Sequence, residues 1–381
     1  YGGLGRVNYS FKDKYLLTFT GRIDQDSRFG ENFRTAKFHS EALAWRISEE
    51  EFFNVNWVND LKLHASYGEL GIVSLRSWDY TAYINNAPRA IFGASQEPVV
   101  GITQAQLANP DLKWEERIVK NIGFDAGFLE NRISLSVEAY NSLSKDALLT
   151  LPVAGYLGNL QGDPFVNAGS IRNTGVEIAA TYRNAINPLK WDISANLTTI
   201  KNTVEDVGRR GEGADYIIFG NTRSKVGRSL GEWHLIRTNG LFQTQAEVDS
   251  YTSSSGTVIQ PFAKPGDVRY IDKNDDGVIN SEDRDFVGSP WPKLQTGLQF
   301  NASYNQFSLN IQFIGVFGYQ IYNDVRRILD GYQNTNFRSD ISPWSESNRG
   351  TGDPRMGRES DQGIVANNLA DTERWLDNGS Y

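Results

Sequence analysis

The chain has 381 residues and no cysteine, with 46 acidic against 38 basic side chains and a net charge of -8. That balance excludes a nucleic-acid partner, which needs clustered lysine and arginine. The lack of cysteine excludes disulfides, thiolate catalysis and cysteine-bound zinc. Mean hydropathy is -0.47, and no stretch approaches the ~18 consecutive apolar residues of a transmembrane helix. A β-barrel escapes that test, because only every second residue has to face lipid.

The first residues already read as strand, so Tyr1 is expected to lie inside a longer protein. Residues 4–10 and 15–23 predict a hairpin around Phe11-Lys12-Asp13-Lys14, with Tyr15, Leu17 and Phe19 opposing Leu16, Thr18 and Thr20. A polar stretch follows over 24–34. Residues 36–47 predict the next strand, and an acidic turn region covers 48–60. Leu61, Leu63, Ala65 and Tyr67 then alternate with Lys62, His64 and Ser66. After a long irregular segment (about 69–116), residues 117–127 and 133–141 pair around Leu129-Glu130-Asn131. Another long segment covers 142–170. Val176, Ile178, Ala180 and Tyr182 then face away from Glu177, Ala179 and Thr181. A turn at Asn187-Pro188 leads to Trp191, Ile193, Ala195 and Leu197, set against Asp192, Ser194 and Asn196. The longest interruption is 202–292. The last hairpin joins 293–303 to 306–317, where Phe307, Leu309, Ile311 and Phe313 alternate with Ser308, Asn310 and Gln312. Residues 318–381 form the final long segment.

About ten strands thus pair through short turns, with long connections between the pairs. A soluble sandwich also alternates, but its loops need not sort by length. The pattern predicts an all-β fold, a transmembrane antiparallel up-and-down β-barrel. Lys62, Glu138, Glu177, Asp192 and Asn196 would line a wet lumen. Strands at both ends of the chain leave edges that lipid cannot tolerate, so the chain is expected to be part of a larger barrel.

Residues 272–283 fit a calcium loop, with oxygen donors at Asp272, Asn274 and Asp276, the Val278 carbonyl, and Asp283 as the closing carboxylate. An aspartate closes the loop where an EF-hand prefers glutamate, and Val287-Gly288-Ser289-Pro290 replaces the following helix. The competing reading is a solvated turn whose side chains bond its own backbone. Catalytic chemistry is not expected. His39, His64 and His234 are not at metal-ligand spacing, and no nucleophile elbow or phosphate loop appears. No organic cofactor is implied. Glu49-Glu50-Glu51 and Glu115-Glu116 read as solvated turns. In the long segments Trp78, Tyr80, Trp233 and Trp344 are candidate substrate-stacking aromatics, as are Tyr156 and Tyr319; each can equally pack one loop onto another.

Gly5-Arg6-Val7-Asn8-Tyr9-Ser10, Asp26-Ser27-Arg28-Phe29-Gly30, Ala42-Leu43-Ala44-Trp45-Arg46-Ile47 and Leu61-Lys62-Leu63-His64 carry a resemblance. Asn109-Pro110-Asp111-Leu112-Lys113-Trp114, Asn173-Thr174-Gly175-Val176-Glu177, Pro265-Gly266-Asp267-Val268-Arg269-Tyr270 and Arg374-Trp375 extend it. In this order they resemble the SusC/RagA-like TonB-linked outer-membrane transporters, across nearly the whole chain. The resemblance implies a 22-stranded barrel with an internal plug, of which this chain is the middle and C-terminal portion. It implies import of oligosaccharides or peptides, a SusD-like surface lipoprotein as lid, and the TonB complex pulling on a plug outside this sequence. It places the turns at 11–14, 129–131, 185–188 and 304–305 in the periplasm. It places the long segments and the Asp-rich loop outside the cell. The second reading, from another class, is a secreted or surface β-rich glycan-binding or adhesion module with a calcium-stabilised loop.

Overall fold

The structure is a computed structural model and describes all residues except 87, 95, 151–163, 185–187, 209–214, 331–337, 358–360 and 363–370. The chain divides into two compact units. The first is Tyr1–Tyr216 with Lys225–Leu230 and Leu294–Gly315, and the second is Ile217–Ser224 with Gly231–Lys293 and Val316–Tyr381. The sequence reading has one barrel body carrying loops. The segments 202–292 and 318–381 instead supply most of a folded unit with apolar clusters of its own.

In the first unit ten strands follow one another in chain order across one sheet. They are β1 (Gly2–Phe11), β2 (Tyr15–Gln25), β3 (Thr35–Arg46), β4 (Val58–Ile72) and β5 (Glu115–Phe128). Then come β6 (Ile133–Lys145), β7 (Ser170–Asn184), β8 (Leu189–Thr199), β9 (Leu294–Tyr304) and β10 (Phe307–Phe317). A short strand, Lys201–Asp206, also pairs with β7. Every strand expected from the alternation is present, several of them longer than expected. β4 runs on to Ile72 and β6 to Lys145. Within 73–114 two small hairpins form, Tyr83–Asn85 with Thr103–Gln106 and Arg89–Phe92 with Glu97–Val100.

The tight turns explain where the chain reverses. Lys12 and Asp13 both take positive φ (53° and 54°), the primed hairpin geometry whose twist matches that of its strands. The Lys14 amide closes the turn by donating to the Phe11 carbonyl at 3.1 Å. Leu129, Glu130 and Asn131 also take positive φ, as does Asn305. These turns all lie at one end of the sheet, together with the longer connection 47–57. The long connections all leave from the other end. Thr199 pairs with Leu294, so the roots of segment 200–293 lie opposite the turn at 12–14. Of the turn expected at 185–188, residues 185–187 lie outside the described residues.

Register converts alternation into two faces. Across one face run Tyr9, Leu17, Leu43, Ala65, Ile122, Ala139 and Val176 as successive partners. The next row is Tyr15, Trp45, Leu63, Phe124, Val137, Ile178 and Leu197. Leu43, Ile122 and Phe313 on that face are 59%, 66% and 63% exposed. In water this much uncovered apolar surface is unfavourable by ~25 cal/mol per Å². In a bilayer it is the surface that lipid covers. Rings gather near the short-turn end: Tyr15 stacks on Trp45, Trp57 on Phe128, and Trp191 packs against Tyr182 and Phe300. Such rings suit the membrane–water boundary.

In the second unit the strands Thr222–Lys225, Glu232–Ile236 and Arg284–Gly288 belong to a small sheet. One apolar cluster is Ile236, Val268 and Tyr270, and another is Phe242, Val248 and Ala263. Asp267 is almost fully buried and is paired by Arg355 at 2.6 Å.

Candidate functional site

The second face of the ten-stranded sheet is polar and charged. One row reads Ala44, His64, Gly123, Glu138, Glu177 and Thr198. The row beside it reads Arg46, Lys62, Asp125, Ser136, Ala179 and Asn196. Lys62 Nζ lies 2.7 Å from Asp125, and the Ser136 hydroxyl donates to the same carboxylate at 2.7 Å. His64 sits 3.8 Å from both Asp125 and Glu138. Gly123 makes that reach possible: a Cβ there would come within 2.4 Å of the Val137 carbonyl and 3.0 Å of the His64 ring. Further along, Asn301 donates to Asp192 at 2.8 Å, and Asn310 donates to Asn301. That contact places Asn310 of β10 on the polar face, which leaves Phe307, Leu309, Ile311 and Phe313 on the apolar one. The expected division of this strand is therefore observed.

Glu50, read as a solvated turn residue, is instead a hub. Its carboxylate accepts from Tyr15 Oη at 2.6 Å, Lys14 Nζ at 3.0 Å and Trp45 Nε1 at 3.0 Å. These bonds, that of Tyr15 foremost, pull its pKa down to about 2. Glu50 thereby ties the β1–β2 turn to the connection after β3 and fixes two rings of the aromatic row. No sequence window contains all its partners; the only local hints were the polar-tipped rings at Tyr15 and Trp45.

The candidate aromatics divide. Trp78 takes φ 75° and is 67% exposed, while Leu75 and Asp79 on either side are buried. Its ring stacks beside Tyr80 at 6.4 Å, and Tyr80 packs on the Phe29, Leu75 and Leu112 cluster. Trp233 is committed to packing: its Nε1 donates to the Gln320 carbonyl at 3.0 Å and its ring lies against Tyr322. Trp344 donates to Gln243 at 3.0 Å and covers Gly266, where a Cβ would meet the ring at 2.5 Å. Tyr319 closes over Gly379 in the same manner. Tyr156 lies outside the described residues. Trp78 with Tyr80 is thus the pair brought together with a ring left open.

In the Asp-rich loop the side chains turn onto their own backbone. Asp272 accepts from the Asp275 and Gly277 amides at 2.7 and 2.8 Å, and Asp276 accepts from Val278 at 2.8 Å. Asn274 accepts from the Asp276 amide at 3.3 Å, and the Val278 carbonyl accepts from Asn280 Nδ2 at 3.4 Å. Asp283 is buried and accepts from Lys273 and Asn280 at 2.9 and 2.7 Å, capping the short helix Ser281–Asp283. Among the described residues no three histidine, cysteine, aspartate or glutamate groups gather as a metal centre. His234, in the second unit, is buried beside Phe286; burial and the nearby Arg223 and Arg284 push its pKa down to about 4.

A family model described as TonB dependent receptor-like, beta-barrel, matches residues 1–226. TonB-dependent receptor P26 of Formosa agariphila is 30% identical over 394 residues, covering 99% of this chain and 37% of the relative. TonB-dependent receptor SusC of Bacteroides thetaiotaomicron is 28% identical over 334 residues, covering 84% of this chain and 31% of the relative. The solved structure of the RagAB peptide transporter matches with a TM-score of 0.77 at 22% identity, over 100% of this chain and 39% of that one. At that identity the likeness is one of fold. The chain spans under two fifths of the length of the relatives it matches. A sheet with one lipid face and one wet face, matched by that family over 1–226, makes this chain a member of the TonB-dependent receptor-like β-barrel family of the bacterial outer membrane.

Proposed function

We propose that this chain supplies barrel wall and outer loops to an importer of oligosaccharides or peptides. The importer is driven through TonB and closed by a SusD-like surface lipoprotein. The observation that carries this reading is the ten-stranded sheet itself: apolar on one face, charged on the other, with tight turns at one end and long connections at the other. That is the layout of a wall between lipid and an aqueous interior. The tight turns are then periplasmic and the long connections extracellular, and the remaining strands of a 22-stranded barrel come from outside this chain. Support for transport comes from the relatives: SusC is a TonB-dependent receptor, and RagAB is described as a peptide transporter. Trp78, held open beside Tyr80 on a long connection, is suited to meet cargo or lid. No catalytic step is assigned.

The test uses the intact protein in cells. It is expected in the outer-membrane fraction, extracted only by detergent, with a surface lipoprotein co-purifying. Uptake of a labelled oligosaccharide or peptide should stop when TonB is removed. A folded protein in the aqueous fraction would overturn this reading and favour a secreted glycan-binding module.

A further inference from the structure

We infer that Lys120 and Lys201 bind the phosphate groups of an outer-leaflet glycolipid, on the bilayer side of the barrel wall. The inference rests on the reading of the long-connection end as extracellular.

The apolar face ends abruptly toward that end. One of its rows reads Leu43, Ala65, Ile122, Ala139 and Val176, and it meets lipid. Two residues further along every strand, the next row reads Glu41, Tyr67, Lys120, Asn141, Thr174 and Lys201. Side chains two residues apart on a strand share a face, so this polar row also points outward, at the upper edge of the apolar band. A cation deep in the band is costly and one near the boundary is not. A lysine at that depth lays its stem along the apolar surface and lifts its ammonium into the headgroups. Both lysines are exposed.

The carboxylates around them are already engaged. Glu69 accepts from Tyr67 at 2.6 Å and lies 3.1 Å from His39, whose other ring nitrogen is 3.5 Å from Glu41. Glu205 accepts from Arg172 at 3.0 Å, and the same guanidinium donates to Asn141 at 2.7 Å. Lys120 lies 5.8 Å from the centre of the Tyr67 ring, and Lys201 is opposite the uncharged Thr174. Among the described residues neither lysine forms an ion pair.

Lys120 and Lys201 stand three strands apart, about 14 Å at the usual strand spacing, with only Asn141 and Thr174 between them in the row. Two phosphates on one headgroup, each taken by one flexible ammonium, suit that gap. Below it, the small Ala139 lies between Ile122 and Val176 and leaves a shallow slot for an acyl chain. In the outer membrane this row is at headgroup depth, and anionic headgroups complement uncommitted basic side chains there.

The intact protein, extracted from outer membranes in mild detergent, is compared with three variants. These are Lys120→Gln with Lys201→Gln, Lys120→Arg with Lys201→Arg, and Lys12→Gln at the short-turn end. Native mass spectrometry reads the lipid that stays bound. The melting midpoint is followed as lipopolysaccharide, the same glycolipid stripped of phosphate, or inorganic phosphate is added. The expected result is a severalfold loss of retained phosphorylated glycolipid in the double Gln variant, with the double Arg variant and Lys12→Gln retaining it. The wild-type midpoint should rise with the phosphorylated glycolipid alone. Equal retention by the double Gln variant overturns the inference. So does an equal rise with the stripped glycolipid, which would leave only acyl contact, or with inorganic phosphate, which would assign the lysines to a free anion. Failure of the topology reading shows separately, as a tag inserted after Gly93 that is not stained on unbroken cells.

Discussion

The depth of each apolar residue in the bilayer can be read from the strands, and it predicts a graded response to arginine. Along β6, Ile133 to Asn141 at about 3.4 Å per residue and a tilt of about 40° climbs about 21 Å. That nearly spans the apolar band of about 25 Å on such barrels. Ile133 lies in the row of Phe128, Tyr182 and Ile193 near the short-turn end. Val137 is halfway up, between Phe124 and Ile178. Val137→Arg therefore puts a guanidinium about 10 Å from either boundary, and it should destabilise the barrel by about 2–4 kcal/mol. Ile133→Arg reaches the boundary and should cost about 0–1 kcal/mol. Ser136→Arg, one residue away but on the wet face, loses a hydrogen bond to Asp125 and gains that carboxylate as a partner. It should change stability little. The assay is urea unfolding of the intact protein in vesicles, followed by tryptophan fluorescence and by heat-dependent gel mobility. If Ser136→Arg costs as much as Val137→Arg, or if Val137→Arg costs nothing, the assignment of faces is wrong.

The Glu50 hub gives an acid-limb prediction. Its carboxylate is held at about 2 against an ordinary 4.5, so its contribution is complete above about 4.5 and is lost as pH falls toward 2. Glu50→Gln should lower the thermal midpoint most at neutral pH, with the gap to the unsubstituted protein closing as pH falls through that window toward 2. His234, held at about 4 against an ordinary 6.5, acts at higher pH. Its stability contribution is complete above about 6.5 and declines as pH falls toward 4, because the unfolded chain takes the proton first. His234→Phe should remove that part of the slope in melts of the intact protein. In the Asp-rich loop, Asp283→Ala strands the Lys273 and Asn280 amides and should cost about 1–3 kcal/mol even with chelator present. Calcium at this loop stays a proposal: a calcium-dependent rise in the melting midpoint, abolished by Asp272→Asn, would bear it out. A flat titration would leave the loop to its own hydrogen bonds.

What the sequence revealed and what it hid follow from the range of the interactions. The ten wall strands were legible because a half-wet strand repeats every two residues, and a window of ten residues contains the whole signal. Their faces followed from the same parity, as Asn310 on the polar side shows. Register was not legible. Nothing in 133–145 says that Glu138 will meet Glu177 rather than Ala179, since slipping a strand by two residues preserves every face. The charge conflict at that pair therefore emerged only from the structure. The second unit was hidden for a different reason. Its strands run to only a few residues, too short to display a period, and its ties join distant segments: Trp233 to Gln320, Arg284 to Asp371, Arg355 to Asp267. Composition marked 202–292 as loop because its polar residues, such as Asp267, predict solvent exposure when read alone. Asp267 can be buried because Arg355, 88 positions later, brings both its charge and its hydrogen bonds, and an unpaired buried carboxylate would not be tolerated. The same reasoning makes Trp78 the exception among the loop aromatics. Trp233 and Trp344 found distant polar partners for their indole N–H groups, whereas Trp78 takes a positive φ and stays exposed, with Asp79 after it and Leu75 three residues before it buried. A backbone held in that conformation at a bulky residue costs of order 1–3 kcal/mol. Trp78→Gly should recover part of that cost while removing the ring, so a stabilised protein with weakened cargo or lid binding would show that the strain serves the exposed indole.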